Sequence, residues 1–311
     1  MITTLGNTDR GLEELQQLTD GCWVNLVDPS AEEIAELQRA YGIPADYLTN
    51  PLDPDERARI EKEDSALLTI LRAPYSSGDS ADVPYTTIPL GIVITDRVII
   101  TVCKVASGVP EELIRTRSRS LNTAKRNQLF LLLFLIAAKR FLQCLRAINK
   151  DVDLLEDQLQ ASLGNREVLA LLKYQKSLTY FTTALRANEL MMGRLQRGTL
   201  FQMYPDDEEL LDDALTEIGQ AVEMTNIASG ILSQMMDAFA SIISNNLNVV
   251  MKFLTSITIV LALPTLIASI YGMNVNTYPS NQDPFAFWMI LGSMGAILLG
   301  MIAYFKARKW L

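Results

Sequence analysis

The chain of 311 residues contains no histidine. This removes the commonest general base and the commonest transition-metal ligand. Any metal handled here must meet oxygen donors, which suits hard ions such as Mg2+. Cysteine is scarce: Cys22, Cys103 and Cys144 are odd in number and far apart. Such a pattern gives neither a disulfide framework nor a zinc site and suits reduced thiols. Met1 to Gln17 lacks a basic start and an apolar run, so no signal peptide is expected and the N-terminus is expected in the cytoplasm. No glycine-rich nucleotide loop is found, so no nucleotide partner is expected. Positive charge is short as well, with a net charge of −9. Four basic residues and one acid lie from Lys252 onward, which leaves 23 basic and 35 acidic side chains before it. A nucleic-acid binder shows the opposite balance.

Two long stretches lack charge altogether. Phe253 to Tyr271 is nineteen residues and Pro284 to Phe305 is twenty-two. Each can cross a hydrocarbon core of about 30 Å at about 1.5 Å per residue. Leu129 to Ala138 is an apolar run of only ten, stopped by Lys139 and Arg140; it reads as a buried cytoplasmic helix. Lys252 precedes the first span, and Lys306, Arg308 and Lys309 follow the second, while the loop between them has no Lys or Arg. The positive-inside rule therefore puts both termini in the cytoplasm and the loop, about Val275 to Asp283, outside. The expected setting is the lipid bilayer of the cell (inner) membrane, crossed twice. Trp288 and Trp310 fit interfacial belts. Gly292, Ala296 and Gly300, at spacing four, form a small-residue stripe that lets helices approach closely.

The expected fold class is an α+β cytoplasmic domain, long helices and a C-terminal transmembrane hairpin. The boundaries fall at 1–120, 121–251 and 252–311. Trp23 to Val27 reads as a strand, and Asp28-Pro29-Ser30 opens a helix that Gly42-Ile43-Pro44 ends. Ala66 to Leu71, Ile88 to Thr95 and Arg97 to Val102 read as further strands. From about Leu121 the chain turns helical. One long helix runs to about Ser162, a second from Arg166 to about Gln196, and Gly198 to Pro205 forms the next turn.

Pro205 opens the most informative helix. Between Asp206 and Met251 there are nine acids and no basic residue. Asp206 to Glu209, Asp212 and Asp213 lie in the first turns, where acids complement the helix dipole. An apolar heptad stripe runs Leu211, Leu215, Ile218, Val222, Thr225, Ser229, Leu232, Met236, Phe239, Ile243. No proline or turn signal separates it from the first span, so Asp206 to Tyr271 reads as one helix of roughly 100 Å at about 1.5 Å per residue. A second stripe, spaced by three and four, includes Asp213, Glu223, Asp237, Asn248, Met251, Thr255, Thr258, Ala262, Thr265, Ser269 and Gly272. It is almost wholly polar or small and stays so inside the membrane. Hydroxyls facing a wet lumen are solvated, whereas hydroxyls facing lipid gain little. The two readings are a pore-lining face and hydroxyls that merely bond their own helix. One helix encloses no pore, so a lumen requires a cyclic homo-oligomer. Acids such as Glu223 and Asp237 would give the inner mouth a potential that concentrates cations.

At Tyr271-Gly272-Met273-Asn274 the chain resembles the CorA family of magnesium transporters, which carry a Gly-Met-Asn signature at the outer end of the first of two C-terminal spans. The likeness extends from Trp23-Val-Asn-Leu-Val-Asp-Pro-Ser30 to the basic segment Lys306–Trp310. It implies a funnel-shaped homopentamer and a selectivity filter of Gly272, Met273 and Asn274. It also implies that Asn248 and Thr265 line the pore and that Met251 and Leu254 form a hydrophobic gate. Asp213, with Asp212 beside it, would form half of an inter-subunit regulatory magnesium site. For the other half, Asn50 stands where a carboxylate is expected, and Asp53 is the nearest acid. The implied activity is Mg2+ uptake down the membrane potential, about 4.6 kcal/mol per 100 mV for a divalent ion, with Co2+ or Ni2+ admitted. The alternatives are the zinc-transporting branch of the superfamily, carrying Zn2+, and a membrane-anchored sensor whose hairpin only tethers it. No enzyme chemistry is expected.

Overall fold

A computed structural model of the chain describes residues 1–8, 11–63, 65–78, 81–117, 121–162, 165–197, 204–273, 279 and 285–310. Two compact units emerge, Met1–Gln234 and Met235–Leu311.

The first unit is built on one seven-stranded sheet. Its strands are β1 (Ile2–Thr8), β2 (Gly11–Glu14), β3 (Trp23–Val27), β4 (Arg59–Glu63), β5 (Ala66–Ser76), β6 (Tyr85–Ile94) and β7 (Ile99–Cys103), in the order β2-β1-β3-β7-β6-β5-β4. Every pairing is antiparallel except β3 with β7, where Trp23 lies opposite Ile99. Successive side chains of a strand leave on opposite faces, and here both faces are buried. Val24, Leu26, Leu68, Ile70, Val93 and Ile100 pack against Ile34 and Leu37 of helix α1 (Ala31–Tyr41) and Tyr47 and Leu48 of helix α2 (Ala45–Thr49). Trp23, Leu67, Leu71, Ile92 and Ile99 face the other way, into the core formed with Leu129–Ala138.

That apolar run sits near the start of helix α4 (Arg126–Ser162), which follows the short helix α3 (Val109–Arg117). By length and composition α4 could cross a membrane, but 72% of its most apolar stretch is buried within the protein, against 11% and 6% for the two other candidates. All ten residues of the run are buried, so its lack of polar positions is explained by being covered on every side. Helices α5 (Asn165–Arg197), α6 (Pro205–Tyr271) and α7 (Ala286–Ala307) complete the chain.

Local chemistry sets several boundaries. Ser30 Oγ accepts from the Glu33 N–H at 3.2 Å while Glu33 Oε2 accepts from the Ser30 N–H at 2.8 Å, a reciprocal cap that starts α1. Gly42 ends it at φ 68°, in the left-handed region glycine tolerates. The β4–β5 ladder stops at the pair Arg59–Ile70, leaving the backbone of Arg72 beyond it. Asn188 of α5, 1% exposed, fills that place: its Oδ1 accepts from the Arg72 N–H at 3.1 Å and its Nδ2 donates to the Arg72 carbonyl at 2.8 Å. A side-chain amide thus continues the sheet edge and ties it to α5.

Several expectations need correction. β5 runs five residues beyond Leu71, to Ser76, because β6 pairs along it from Tyr85 onward. Helix returns at Val109, before Leu121, as α3. Strands β1, β2 and β4 were not expected at all.

Candidate functional site

The candidate site is one face of α6. The 67-residue helix runs unbroken through Pro264. Its apolar heptad stripe is the packed face: Leu211, Ile218, Thr225, Leu232 and Phe239 are buried, and Leu215, Val222, Ser229 and Met236 are half-buried. Ile243 is exposed. The polar stripe is the opposite case. Asp213, Glu223, Asp237, Asn248, Met251, Thr255, Thr258, Ala262, Thr265, Ser269 and Gly272 are all exposed in the protomer. From Leu211 to Phe239 the helix therefore carries a packed face and an open face; from Ala240 to Thr255 it is exposed all round.

Two hydroxyls on the open face have a defined orientation. Thr258 Oγ1 donates to the Leu254 carbonyl and Thr265 Oγ1 to the Leu261 carbonyl, each at 2.8 Å. The protons go to the helix's own backbone, and the oxygen lone pairs stay free to accept. Self-bonded hydroxyls and an accepting surface are thus the same arrangement, suited to the water shell of a cation.

At the far end of α6 the Gly272 N–H donates to the Ala268 carbonyl at 3.0 Å and the Met273 N–H to the Ile270 carbonyl at 3.2 Å. Gly272 and Met273 are exposed. Asn274 and nearly all of the loop up to residue 284 lie outside the described residues. Met251 and Leu254, 52% and 56% exposed, are bulky apolar side chains left more than half uncovered by their own protomer. On α7, Gly292, Ala296 and Gly300 are exposed, and a Cβ at Gly292 or Gly300 would meet nothing within 4 Å. The small stripe is therefore not what brings α6 and α7 together.

The acids sit far from the apolar stretch in sequence. Asp212 accepts from Gln196 Nε2 at 3.1 Å, and Asp213 is exposed. Asp53 is exposed, with Oδ1 accepting from the Asp55 N–H at 3.0 Å. Among the described residues, no three acids or cysteines converge on a point that could hold a metal ion. The loop bearing Asp53 is held by a residue that sequence reasoning missed. Arg72 donates from Nη1 to the carbonyls of Pro54 and Glu56 at 2.7 and 2.9 Å, and from Nε and Nη2 to Thr87. Burial pulls its guanidinium below the usual range, and the charge of Asp55 opposes this. An arginine in a strand of Leu, Ile and Ala was the available signal.

A further unforeseen pair is Ser256 and Trp310. Ser256 is fully buried, and its Oγ lies 2.8 Å from the Lys252 carbonyl, 2.9 Å from that of Phe253 and 3.3 Å from that of Trp310. Trp310, expected as a belt residue, stacks on Phe305 with ring centroids 5.8 Å apart.

An α/β domain, a single helix that continues into an apolar segment long enough to cross a membrane, and a second apolar helix of that kind define the class of a membrane transport protein. The chain belongs to the CorA family: the sequence model for the CorA-like Mg2+ transporter protein matches residues 19–308. The cobalt/magnesium transport protein CorA of Methanocaldococcus jannaschii is 29% identical over 294 residues, covering 93% of this chain and 91% of that one. The magnesium transport protein CorA of Helicobacter pylori is 24% identical over 297 residues, covering 93% and 90%. The complete structure of the Methanocaldococcus jannaschii CorA magnesium transporter superposes with a TM-score of 0.88 at 25% identity, covering 100% of this chain and 99% of that one.

Proposed function

We propose that copies of this chain form a cyclic homo-oligomer, a pentamer, in the cell membrane and conduct Mg2+ into the cytoplasm down the membrane potential. The observation that carries this reading is the open polar face of α6 from Asp213 to Gly272. A ring of such helices encloses a lumen lined by Asn248, Thr255, Thr258, Ala262, Thr265 and Ser269. Residues 1–120 form the cytoplasmic α/β domain, 121–251 the helical stalk and 252–311 the hairpin, with both termini inside. Mg2+ sheds water reluctantly and prefers octahedral oxygen geometry. Accepting hydroxyls let the ion pass with its water shell, and Glu223 and Asp237 raise cation concentration at the inner mouth. The test is purified protein in liposomes with an imposed inside-negative potential. Mg2+ influx should rise with the potential and fall with added Co2+ or Ni2+. No influx would leave the hairpin as a tether, and Zn2+ influx exceeding that of Mg2+ would change the cargo.

Uptake driven only by potential requires a brake. The brake we assign is Mg2+ held between Asp213, with Asp212 beside it, and Asp53 of neighbouring copies. Carboxylates brought close repel, and a bound divalent ion relieves this. Ion-bound interfaces then favour the closed state by differential binding. Asp213→Ala, alone and with Asp53→Ala, should lose the protease protection conferred by rising Mg2+. The internal Mg2+ at which uptake stops should rise several-fold. Wild-type protection and shut-off in both variants would put the brake elsewhere.

A further inference from the structure

From Ala240 to Thr255 every position of α6 is exposed, and the first one covered is Ser256. What comes within reach of it is the segment that follows α7. That segment is held in a conformation with a cost. Ala307 is the last helical residue, and Lys309 takes φ 56°, a left-handed backbone that favours glycine and that a lysine adopts against steric resistance. The Lys309 N–H donates to the Lys306 carbonyl at 3.1 Å and the Trp310 N–H to the Phe305 carbonyl at 2.9 Å. These are the two bonds of a Schellman helix end, and the apolar contact that accompanies it is the Phe305–Trp310 stack, with an interplanar angle of 21°. The turn points the Trp310 carbonyl back at α6, 3.3 Å from Ser256 Oγ.

Ser256 has one hydroxyl proton and three carbonyls in reach, those of Lys252, Phe253 and Trp310. Lys252 and Phe253 lie between Met251 and Leu254. The proton therefore has two settings. Turned to its own helix, it bonds the backbone of the constriction; turned to Trp310, it ties the end of α7 to that same turn. An apolar ring excludes ions only while its side chains are held together, so a tie at this turn bears on closure. We propose that Ser256 and Trp310 are positioning residues for the gate: a latch, cocked by the left-handed Lys309, that holds the end of α7 on α6 beside Met251 and Leu254. The latch rests on reading these two residues as the gate.

The experiment uses the full chain in liposomes, with 5-fluorotryptophan at all three tryptophans and the Trp310 resonance assigned by its loss in Trp310→Phe. In Ser256→Ala, broadening of that resonance by a soluble paramagnetic chelate should at least double. The internal Mg2+ at which uptake stops should rise at least threefold. Ser256→Thr keeps the hydroxyl and should match the wild type in both. Lys309→Gly relaxes the turn and should shift shut-off to lower Mg2+. An unmoved Trp310 resonance in Ser256→Ala overturns the proposal, and so does a moved resonance with wild-type shut-off, which would leave a packing contact only. Should Ser256→Ala fail to assemble, an unchanged shut-off in Lys309→Gly overturns it alone. The gate reading fails separately, through unchanged leak in Met251→Gly and Leu254→Gly.

Discussion

Asn274→Ala is expected to abolish Mg2+ uptake by protein that still assembles. α6 ends at Tyr271, and the C-terminal end of a helix carries partial negative charge on its free carbonyls. Asn274 follows three residues later. In the proposed oligomer a ring of carboxamide oxygens there would add dipoles without a fixed anion. This suits an ion that must be caught while hydrated and then released. Removing the ring should lower flux at least about a hundredfold, equivalent to about 2.7 kcal/mol on the barrier. Asn274→Asp should also slow transport, for the opposite reason: a full carboxylate ring binds more tightly and delays exit. If Asn274 merely caps the helix, Asn274→Ala should cost only a modest amount of stability and leave flux intact. Ion flux and oligomer assembly, measured on the same preparation, separate the two.

Met251→Gly and Leu254→Gly should do the reverse and raise flux under conditions that close the wild-type pore. Met251 is the bulky apolar interruption of the polar stripe where it reaches the membrane, and Leu254 lies about one turn further on. Both are more than half exposed in the protomer, in the range found for lipid-facing or lumen-facing positions and not for core ones. Rings of such side chains empty a narrow pore of water and so block ions without touching them. Glycine removes the apolar bulk and readmits water. At high internal Mg2+, leak should increase by an order of magnitude or more, roughly what the loss of about 1.4 kcal/mol from the barrier gives. Stopped-flow Mg2+ indicator traces on vesicles loaded with Mg2+ measure it. Equal closed-state leak in the wild type and both variants would remove the gate from this turn.

The long helices were legible because their signals are dense. α4 ends, α5 begins and ends, and α6 begins within a few residues of the breaks read at Gly164 and at Gly198 to Pro205. α6 ends at Tyr271 as read, while α4 starts five residues after Leu121. β3 was bounded as found, Trp23–Val27, and α1 was legible from Ser30 and Gly42 at its two ends. Two of the three missed strands share a physical character. β4 reads Arg-Ile-Glu-Lys-Glu and β2 reads Gly-Leu-Glu-Glu, and these two form the edges of the sheet. Charge on an edge strand discourages pairing with another chain, and the same charge hides the apolar alternation by which strands are recognised. In the candidate site, stripe periodicity separated the packed face of α6 from the open one between Leu211 and Phe239. It gave no sign of Ser256, because that burial depends on residues more than fifty positions away. Nor could it show that Arg72 spends its donors on the carbonyls of a loop.

The single parallel seam between β3 and β7 bears on how the chain is made. On one side of it lie β2, β1 and β3, on the other β7, β6, β5 and β4. Within each group, every contact links strands that follow closely in sequence. The seam alone joins residues 76 positions apart, as at Asn25 and Thr101. Loop closure of that length slows a pairing relative to local hairpins. During synthesis at about 5–20 residues per second, β3 waits roughly 4–15 seconds for its neighbour to emerge. For that interval β3 lacks its native neighbour along the apolar edge Trp23-Val-Asn-Leu-Val27. An unpaired apolar strand edge of this kind is open to wrong pairing. The parallel pairing with β7, Trp23 opposite Ile99, is what covers that edge in the folded chain.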